Sequence, residues 1–458
     1  MIKNNIVLLV DFLPVANPSL TLGNADIIRF AKNISITRGK SSVFSNFNAG
    51  SLTVEFGNID GSCEPVILTL PNSNKNNPFD PSANFGYYAR IPGQMASFRH
   101  EIVFAVLGDP PNIDPPIDLE NPAQRGGINW GNNVGDPGGE YTQIAMFGGI
   151  TDNWEYEYDV DGNAIVTMTA YESYKESANQ PVDPFRLNQV APTGTYLDDQ
   201  IPGSSAEFPF REKQNVLGIG NTTVPATPAS FFEDKQDLQQ KIAQAEQGVL
   251  FINSTGFWKF IPRLAPSTFA ADANLGTYLP RLVYNFGGES DLQVSDLKID
   301  YSSDLVYNRI NMTNTLGTNV VVEDTESIEQ FGLKELTFDD MLVIDAELTD
   351  LATAILEKYS RKKFRVTSFS VNLTKYDQES GLSQIQKDLL QSDIGDYCIV
   401  TYDRNPIKTA TYVGQIIGIK HDVTPDNYVM TFTLDEKRHQ QLILDDEVFG
   451  RLDENVLN

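Results

Sequence analysis

Residues 164–172, AIVTMTAYE, return in altered form as residues 428–436, YVMTFTLDE, near the other end of the chain. Three positions are identical in the two copies: Thr167 and Thr431, Thr169 and Thr433, and Glu172 and Glu436. Apolar and polar side chains alternate along both copies, and this period of two predicts a half-buried β-strand in each. The fold therefore depends on whether the two strands belong to one repeated unit.

A glycine-bearing segment precedes each copy, FGGI at residues 147–150 and VGQI at residues 413–416. Aligning Gly148 with Gly414 leaves nearly the same length of chain before the second threonine, so each copy predicts a strand, a turn and a returning strand. Two explanations stay open. Either a whole β-domain has been duplicated, or two unrelated hairpins look alike because both carry alternating threonines.

Duplication would have a consequence for assembly. A chain that carries two similar β-barrels in tandem can, as a homotrimer, present six near-equivalent barrels around one axis. Such a particle can bind a three-fold object on one side and a six-fold object on the other. The repeat therefore points to an adaptor between assemblies of different symmetry.

The size and charge of the chain limit its function. Its 458 residues predict roughly two to four domains, and 41% apolar residues are enough to build packed cores. A net charge of −27 with no basic block disfavours tight binding to a phosphate backbone. No apolar run is long enough to cross a membrane, and Asp11 interrupts the apolar opening segment, so we expect neither a membrane span nor a signal peptide.

The residues that usually carry chemistry are few and scattered. The histidines His100, His421 and His439 stand in no metal-binding or nucleophile motif, and adjacent acidic pairs arise readily among 61 acidic residues. Cys63 and Cys398 each stand alone, so we expect two reduced, packed thiols rather than a zinc site, with one long-range disulfide as the alternative. The sequence predicts no catalytic, metal-binding or cofactor-binding residue, and hence no enzyme.

Strand-forming β-branched and aromatic runs dominate both ends of the chain, whereas loops and two helical patterns occupy the middle. We therefore predict a mainly β fold with some α-helix, in which two tandem β-barrels are joined by a small α+β middle region. The predicted segments are a first β-barrel domain (1–180) with a long inserted loop (108–141), a loop-rich α+β middle domain (181–290), an α+β connecting segment (291–363), a second β-barrel (364–440) and a C-terminal tail (441–458).

The two helices are predicted from their caps and apolar spacing. The first starts after Ser230 as its N-cap, with Glu233 completing a capping box, and ends at Gln247 before a glycine. The second covers about residues 346–363 and places its leucines and isoleucine on one stripe.

Six short motifs are distributed along the chain: ITRGK (36–40), NAGSLTVEFGN (48–58), NPFDP (77–81), FGGITD (147–152), DTESIEQFG (324–332) and LILDDEVFGRLD (442–453). Together they resemble the minor tail proteins of long-tailed bacteriophages. Each motif alone is weakly specific, but their shared order extends over almost the whole chain. The sequence departs from the family's pattern in the segment 63–77 and in the unusually long loop 108–141.

The resemblance implies a structural virion protein, the trimeric hub of a phage tail tip or baseplate, built around two tandem tube-type β-barrels. Such a hub adapts the six-fold tail tube to a three-fold tip and closes the tube until DNA ejection. The implied partners are a distal tail protein ring, the tape-measure protein and a central fibre or spike. The implied location is the virion, with assembly in the host cytoplasm.

The motif Arg38-Gly39-Lys40 predicts a polar turn. The resemblance implies that this turn lies at a barrel rim, where its two cations would meet an acidic neighbouring ring; a solvated turn is the alternative. The candidate site residues are thus the interface turn Arg38, Gly39 and Lys40, and the repeat positions Gly148, Thr167, Thr169, Gly414, Thr431 and Thr433.

Two other functions remain open from the sequence. A hexameric distal tail ring protein would carry one tube barrel per chain. A surface-exposed carbohydrate-binding, receptor-binding tail component is suggested by Trp130, Trp154 and the aromatic-rich loops. The number of barrels per chain separates the ring protein from the hub, and glycan binding without assembly would favour the carbohydrate-binding component.

Overall fold

One large sheet and a helical middle region make up the described part of the protein. The computed structural model describes residues 6–10, 26–27, 31–42, 45, 47–57, 95–103, 141–158, 160, 164–172, 174–178, 180–182, 189–200, 213–217, 220–254, 256, 258–263, 282–286, 294–301, 304–362, 365–376, 384–402, 410–424 and 427–436. Trp130 and Cys63, the C-terminal tail and all of the inserted loop except Tyr141 lie outside the described residues.

Strands outnumber helices in these ranges, as the sequence predicts. The strands are β1 (Ile6–Val10), β2 (Asp26–Ile27), β3 (Ala31–Gly39), β4 (Asn48–Gly57), β5 (Met95–Val103), β6 (Tyr141–Tyr158), β7 (Ala164–Tyr171), β8 (Ala191–Pro192), β9 (Lys213–Leu217), β10 (Thr223–Val224), β11 (Val249–Ile252), β12 (Trp258–Ile261), β13 (Leu282–Phe286), β14 (Val294–Asp300), β15 (Arg309–Asn314), β16 (Asn319–Glu323), β17 (Glu335–Met341), β18 (Arg365–Asn372), β19 (Tyr397–Tyr402), β20 (Ala410–Thr424) and β21 (Asn427–Glu436). The helices are α1 (Tyr174–Ser177), α2 (Thr193–Gln200), α3 (Lys235–Glu246), α4 (Thr325–Phe331), α5 (Asp345–Tyr359) and α6 (Gln384–Gln391).

Helix α3 begins one turn later than its predicted start. A short 3₁₀ turn occupies Ala229–Phe231, and the N-cap is Asp234, whose side chain accepts the backbone N–H of Asp237 at 2.8 Å. The predicted cap at Ser230 is therefore wrong, because a carboxylate placed next to the apolar stripe satisfies the first helical N–H groups instead. The predicted end is right within one residue, since Gln247 is the left-handed C-cap.

Helix α5 covers Asp345–Tyr359 and ends before the predicted Lys363. Its buried stripe is the predicted one, with Leu348, Leu351 and Ile355 all at most 3% exposed. This helix packs on β15 and β16 of a small three-stranded sheet in the middle region.

The main sheet, which has thirteen strands within the described ranges, repeats its strand order. The strands β1, β3, β4, β5, β6 and β7 are arranged as β3-β4-β7-β6-β5-β1, and β13, β14, β18, β19, β20 and β21 are arranged as β14-β18-β21-β20-β19-β13. Replacing each strand of the first set by its counterpart in chain order converts one arrangement into the other. We call these sets the N-terminal unit and the C-terminal unit.

Strand directions repeat as well, with one exception. The four contacts from β3 to β5 in the N-terminal unit are antiparallel, and so are the four matching contacts from β14 to β19 in the C-terminal unit. The outermost strands differ, because β1 pairs antiparallel with β5 whereas β13 pairs parallel with β19.

The two units also share irregularities of register. In the N-terminal unit, Asp152 of β6 is a bulge residue that lies opposite the bond between residues 169 and 170 of β7. In the C-terminal unit, Ile417 of β20 is a bulge residue opposite the bond between residues 433 and 434 of β21. In the same way, β3 and β14 carry extra residues opposite matching steps of β4 and β18: Lys32 and Ser295. A β-bulge is a specific feature of its sheet. Two unrelated hairpins need not carry bulges at the same register positions, so the shared bulges favour duplication of the unit.

Hydrogen bonding among the described strands closes neither unit into a barrel. The two tube-type barrels therefore stay a prediction. Instead, the units are joined edge to edge, because β20 of the C-terminal unit also pairs with β3 of the N-terminal unit.

Two apolar cores support this arrangement. One lies against the main sheet and takes residues from both units, among them Ile36, Leu52, Phe369 and Phe432. The other is formed by α3, α5 and the small sheets of the middle region. Cys398 is buried in the first core as a free thiol. No helix in the described ranges is long and apolar enough to cross a membrane.

Candidate functional site: the junction of the two sheet units

Strand β20 changes partner halfway along its length. Its first half pairs with β19, from Ala410 to Gln415, and its second half pairs with β3, from Gly418 to Val423. The bulge at Ile417 lies between these two stretches. Because a bulge bends its strand and increases the local twist, it is well placed to turn β20 from one neighbour to the other.

Two glycines allow the close approach at this point. Gly39 has a φ of +84°, and the next residue, Lys40, donates its backbone N–H to the carbonyl of Ile417 at 2.8 Å. A Cβ on Gly39 would collide with the carbonyl of Ile417, and a Cβ on Gly418 would collide with the carbonyl of Lys40. The glycine of the ITRGK motif therefore serves the contact between the units.

The core-facing side of the junction is buried. Ile34 and Ile36 of β3 are 3% and 0% exposed, and Ile419 and Val423 of β20 are each 2% exposed. His421 lies between these two residues of β20 and is buried, with its Nδ1 at 3.0 Å from the hydroxyl of Tyr428. On the opposite face, polar side chains pair across the strands, as when Ser35 donates to Asp422 at 3.0 Å.

Arg38 lies inside the junction, not on the exposed turn that its motif predicts. Its side chain is 1% exposed. Its guanidinium binds Glu172 through Nε at 3.0 Å, Asp393 through Nη1 at 2.9 Å and the carbonyl of Ile252 through Nη2. Because groups of its own chain surround it, Arg38 cannot reach an acidic neighbouring ring, and its prediction as an exposed interface residue is wrong.

The partners of Arg38 come from different parts of the chain. Glu172 follows β7 and also accepts the backbone N–H of Gly50 at 2.8 Å. Asp393 follows α6 and also accepts the backbone N–H of Ser254 at 3.2 Å. Arg38 therefore ties the N-terminal unit, the middle region and the segment before β19 to one point.

The charges of this cluster do not balance. Two carboxylates face one guanidinium, and the side chains of Arg38 and Glu172 are 1% and 4% exposed. Such desolvation disfavours an extra ionised group. Burial raises the pKa of the Glu172 carboxyl to about 7, although Arg38 and the Gly50 N–H oppose that shift. With this pKa, Glu172 exchanges a proton near neutral pH.

Lys40 is the other cation of the predicted turn, and it is only half-buried. Its ammonium lies 4.6 Å from the centroid of the Phe47 ring. Burial lowers the pKa of Lys40 to about 8, while the nearby Asp435 acts in the opposite direction. Of the three turn residues, Lys40 alone has a side chain that an outside partner can reach.

The repeat positions lie on the second and third strands from the junction. Thr167 and Thr169 of β7 and Thr431 and Thr433 of β21 are all half-buried and occupy matching register positions in the two units. The glycines do not match as the sequence suggests. Register makes Gly149, not Gly148, the counterpart of Gly414, because the turn of the first hairpin is one residue longer.

Sequence reasoning missed Asp393 and the N–H of Gly50. Nothing in the local sequence marks Asp393, which lies in an ordinary polar segment between α6 and β19. Glu172 carried a signal, because it is one of the three identical positions of the repeat. In the described part of the chain, no three His, Cys, Asp or Glu side chains are grouped so as to hold a metal ion.

No protein-family model and no curated protein sequence matches this chain. Solved structures do match it. A 43 kDa tail protein of prophage MuSo2 from Shewanella oneidensis has a TM-score of 0.50 at 12% identity, covering 94% of this chain and 98% of that one. A tail protein from Neisseria meningitidis MC58 has a TM-score of 0.50 at 10% identity, covering 94% of this chain and 96% of that one.

The chain has a phage tail protein fold. The resemblance stated from the sequence motifs is thereby confirmed for the fold. Because the matches cover 94% of the chain, the fold includes both sheet units and the middle region rather than one of them. In this tail protein fold, the junction of β3 and β20 is the place where the two repeated units meet.

Proposed function

We propose that this protein is a structural tail component, the trimeric hub of a phage tail tip or baseplate. The observation that carries the proposal is the repeated strand order, with β3 of one unit pairing with β20 of the other. Three chains of this kind offer six similar units around one axis. A six-fold tube end can bind these units while the remaining surface keeps three-fold symmetry.

The same repeat favours a hub over a ring-forming distal tail protein. A hexameric ring needs one tube-type unit per chain, whereas this chain carries two sets of strands with equal order and shared bulges. In the proposed assembly, each unit forms one tube-type barrel or barrel segment around the channel. The distal tail ring, the tape-measure protein and a central fibre or spike are the proposed neighbours in the virion.

The channel of such a hub has to pass DNA without retaining it. A net charge of −27 supports this role, since like charge denies the phosphate backbone the contacts that drive its binding. We propose a mechanical function, closing the tube and then opening it during ejection, with no catalytic step. The scaffold around Arg38 would hold the two units of each chain together during that change.

Native mass spectrometry of the purified protein tests the proposal. Three copies per particle are expected, alone or after mixing with the distal tail ring of the same phage. Six copies in a ring would contradict the hub and favour the ring protein. A monomer that does not associate with the ring, and that binds glycans instead, would favour the carbohydrate-binding alternative.

A further inference from the structure

The two units are joined by one strand pairing, and the repeat implies an equivalent second pairing that does not form among the described strands of a single chain. Within the chain, the second half of β20 pairs with β3. The strand that corresponds to β20 is β6, and the strand that corresponds to β3 is β14. The matching contact would therefore join β6 of the N-terminal unit to β14 of a C-terminal unit.

Neither edge is used by another described strand. The second half of β6 pairs with β7 on one side, and β14 pairs with β18 on one side. The two strands lie at separate places in the sheet order and do not pair with each other within the chain. A strand edge along which no other strand of the described ranges pairs is a template for a strand from another molecule.

Exposure of apolar side chains marks the same two edges. Ile34 and Ile36 of β3 are 3% and 0% exposed, but their counterparts on β14, Leu297 and Ile299, are only half-buried at the border of the core. On β6, Tyr156 is likewise a partly buried border residue. Equivalent positions are thus more buried on β3 and β20, which pair with each other, than on β14 and β6. Neither β14 nor the second half of β6 has a described strand at the equivalent edge.

Large exposed side chains continue this pattern at the strand ends. Tyr158 at the end of β6 is 58% exposed, and Tyr301 directly after β14 is 61% exposed. Their counterparts in the chain, Val423 and Arg38, are each 2% exposed inside the junction. Exposed aromatic residues on a strand edge are typical of surfaces that bind another protein.

We propose that β6 of one copy pairs antiparallel with β14 of a second copy, in the register of the β3·β20 junction. Matching bulges transfer that register from one junction to the other: Glu157 lies opposite Lys298, Tyr156 opposite Ile299 and Tyr158 opposite Leu297. The pairing rests on the proposed function only for the number of copies, three.

The side chains of the two edges complement each other in this register. On the core-facing side, two tyrosines meet a leucine and an isoleucine, which completes the apolar layer. On the other face, Glu157 meets Lys298, the position where Asp422 and Ser35 pair within the chain. Glu155 would lie opposite Asp300, and Lys298 is the diagonal neighbour that offsets this repulsion.

The contact joins different surfaces of two identical chains. Such a head-to-tail interface forms a closed ring when its rotation closes and an open filament when it does not. In a ring of alternating N-terminal and C-terminal units, the β3·β20 junction joins the two units of one chain. The proposed β6·β14 pairing joins each chain to the next. A second copy of this chain is therefore the partner whose chemistry fits both edges.

Engineered cysteines test the register directly. In a Cys63→Ser background, the matched variant carries Glu157→Cys and Lys298→Cys, two exposed positions whose Cβ atoms would lie about 5 Å apart across the strands. The control carries Asn153→Cys and Lys298→Cys, equally exposed but offset by about 14 Å along the strand. Both are oxidised at their highest soluble concentration, and covalent products are counted on denaturing gels.

Covalent trimers from the matched variant, with the offset variant remaining monomeric, are the expected result. Absence of links between chains in the matched variant, or equal linking in both variants, would overturn the strand pairing. Trimers found by mass without these links would keep the hub and overturn the register. A ladder of products that continues beyond three copies would keep the strand pairing and overturn the hub.

Discussion

Arg38, Glu172 and Asp393 form a buried ionic cluster at the point where the chain's segments meet. The guanidinium forms one ion pair with each carboxylate and also binds the Ile252 carbonyl. Such a cluster contributes modestly to net stability as long as it is complete, because desolvation offsets the attraction. Removing the cation Arg38 is costly, because it leaves its two carboxylate partners without a positive charge.

Replacing Arg38 with Met tests that asymmetry. The change keeps most of the side-chain volume but leaves two carboxylates without their cation, so we expect a loss of about 3–5 kcal/mol in the free energy of unfolding. Denaturant titration measures it. Arg361→Met is the matched control, since Arg361 pairs with Glu326 at an exposed site and should lose at most about 0.5 kcal/mol. Equal losses in the two variants would contradict the role of Arg38.

Glu172 makes the stability of the junction depend on pH. Its pKa is about 7 in the folded protein against an ordinary value of 4.5, so the folded state retains a proton that the unfolded state releases. The contribution of this group is full below its ordinary pKa and is lost as pH rises through the folded value. Relative to Glu172→Gln, the native protein should therefore lose stability between about pH 5 and about pH 8.

Comparing the two proteins at both pH values isolates Glu172 from the other acidic residues, which the variant retains. Denaturant midpoints suffice for this measurement. A difference between native protein and variant that stays constant across the range would show that Glu172 is ionised throughout.

The local sequence could not reveal this cluster. ITRGK predicts a turn because glycine and two cations favour solvent, and the glycine does adopt a left-handed φ. Arg38 is buried instead of solvated because the carboxylates of Glu172 and Asp393 pair with its guanidinium. Their approach depends on how the strands pair, and no pattern within a few residues of Arg38 encodes it.

Strands β3 and β20 approach each other through glycine. Gly39→Ala places a Cβ on a residue with φ of +84° and against the carbonyl of Ile417. Gly317→Ala is the matched control, because Gly317 has φ of +85° with no atom within 4 Å of the added Cβ. We expect about 1–2 kcal/mol of destabilisation for Gly317→Ala and a clearly larger loss for Gly39→Ala, measured by thermal or denaturant unfolding. Equal losses of unfolding free energy in the two variants would mean that the close approach of β3 and β20 does not add to the cost of Gly39→Ala.

Alternating strands and long helices were predictable from the sequence, whereas pairing partners and short helices were not. β7 and β21 lie where period-two patterns predicted them, and the buried stripe of α5 is the predicted one. The short helices α4 and α6 were missed, since two turns give too few apolar positions to define a stripe. The parallel pairing of β13 with β19 joins distant segments, and a local pattern contains no information about that.

The whole molecule combines two sheet units into one sheet rather than keeping them as separate bodies. The sequence indicated the repeat through two threonine pairs and one glutamate, but the aligned glycine was shifted by one residue. Only the register of the strands corrects this, and it adds the strand order and shared bulges. These features make the six-unit ring a specific geometric proposal.

Single-particle electron microscopy of the assembled protein can show directly whether three chains form a ring of six units. We expect a ring in which three chains contribute six lobes of similar shape at nearly equal spacing, with sheet continuity within and between chains. A particle with three lobes, or with six lobes contributed by six chains, would contradict it.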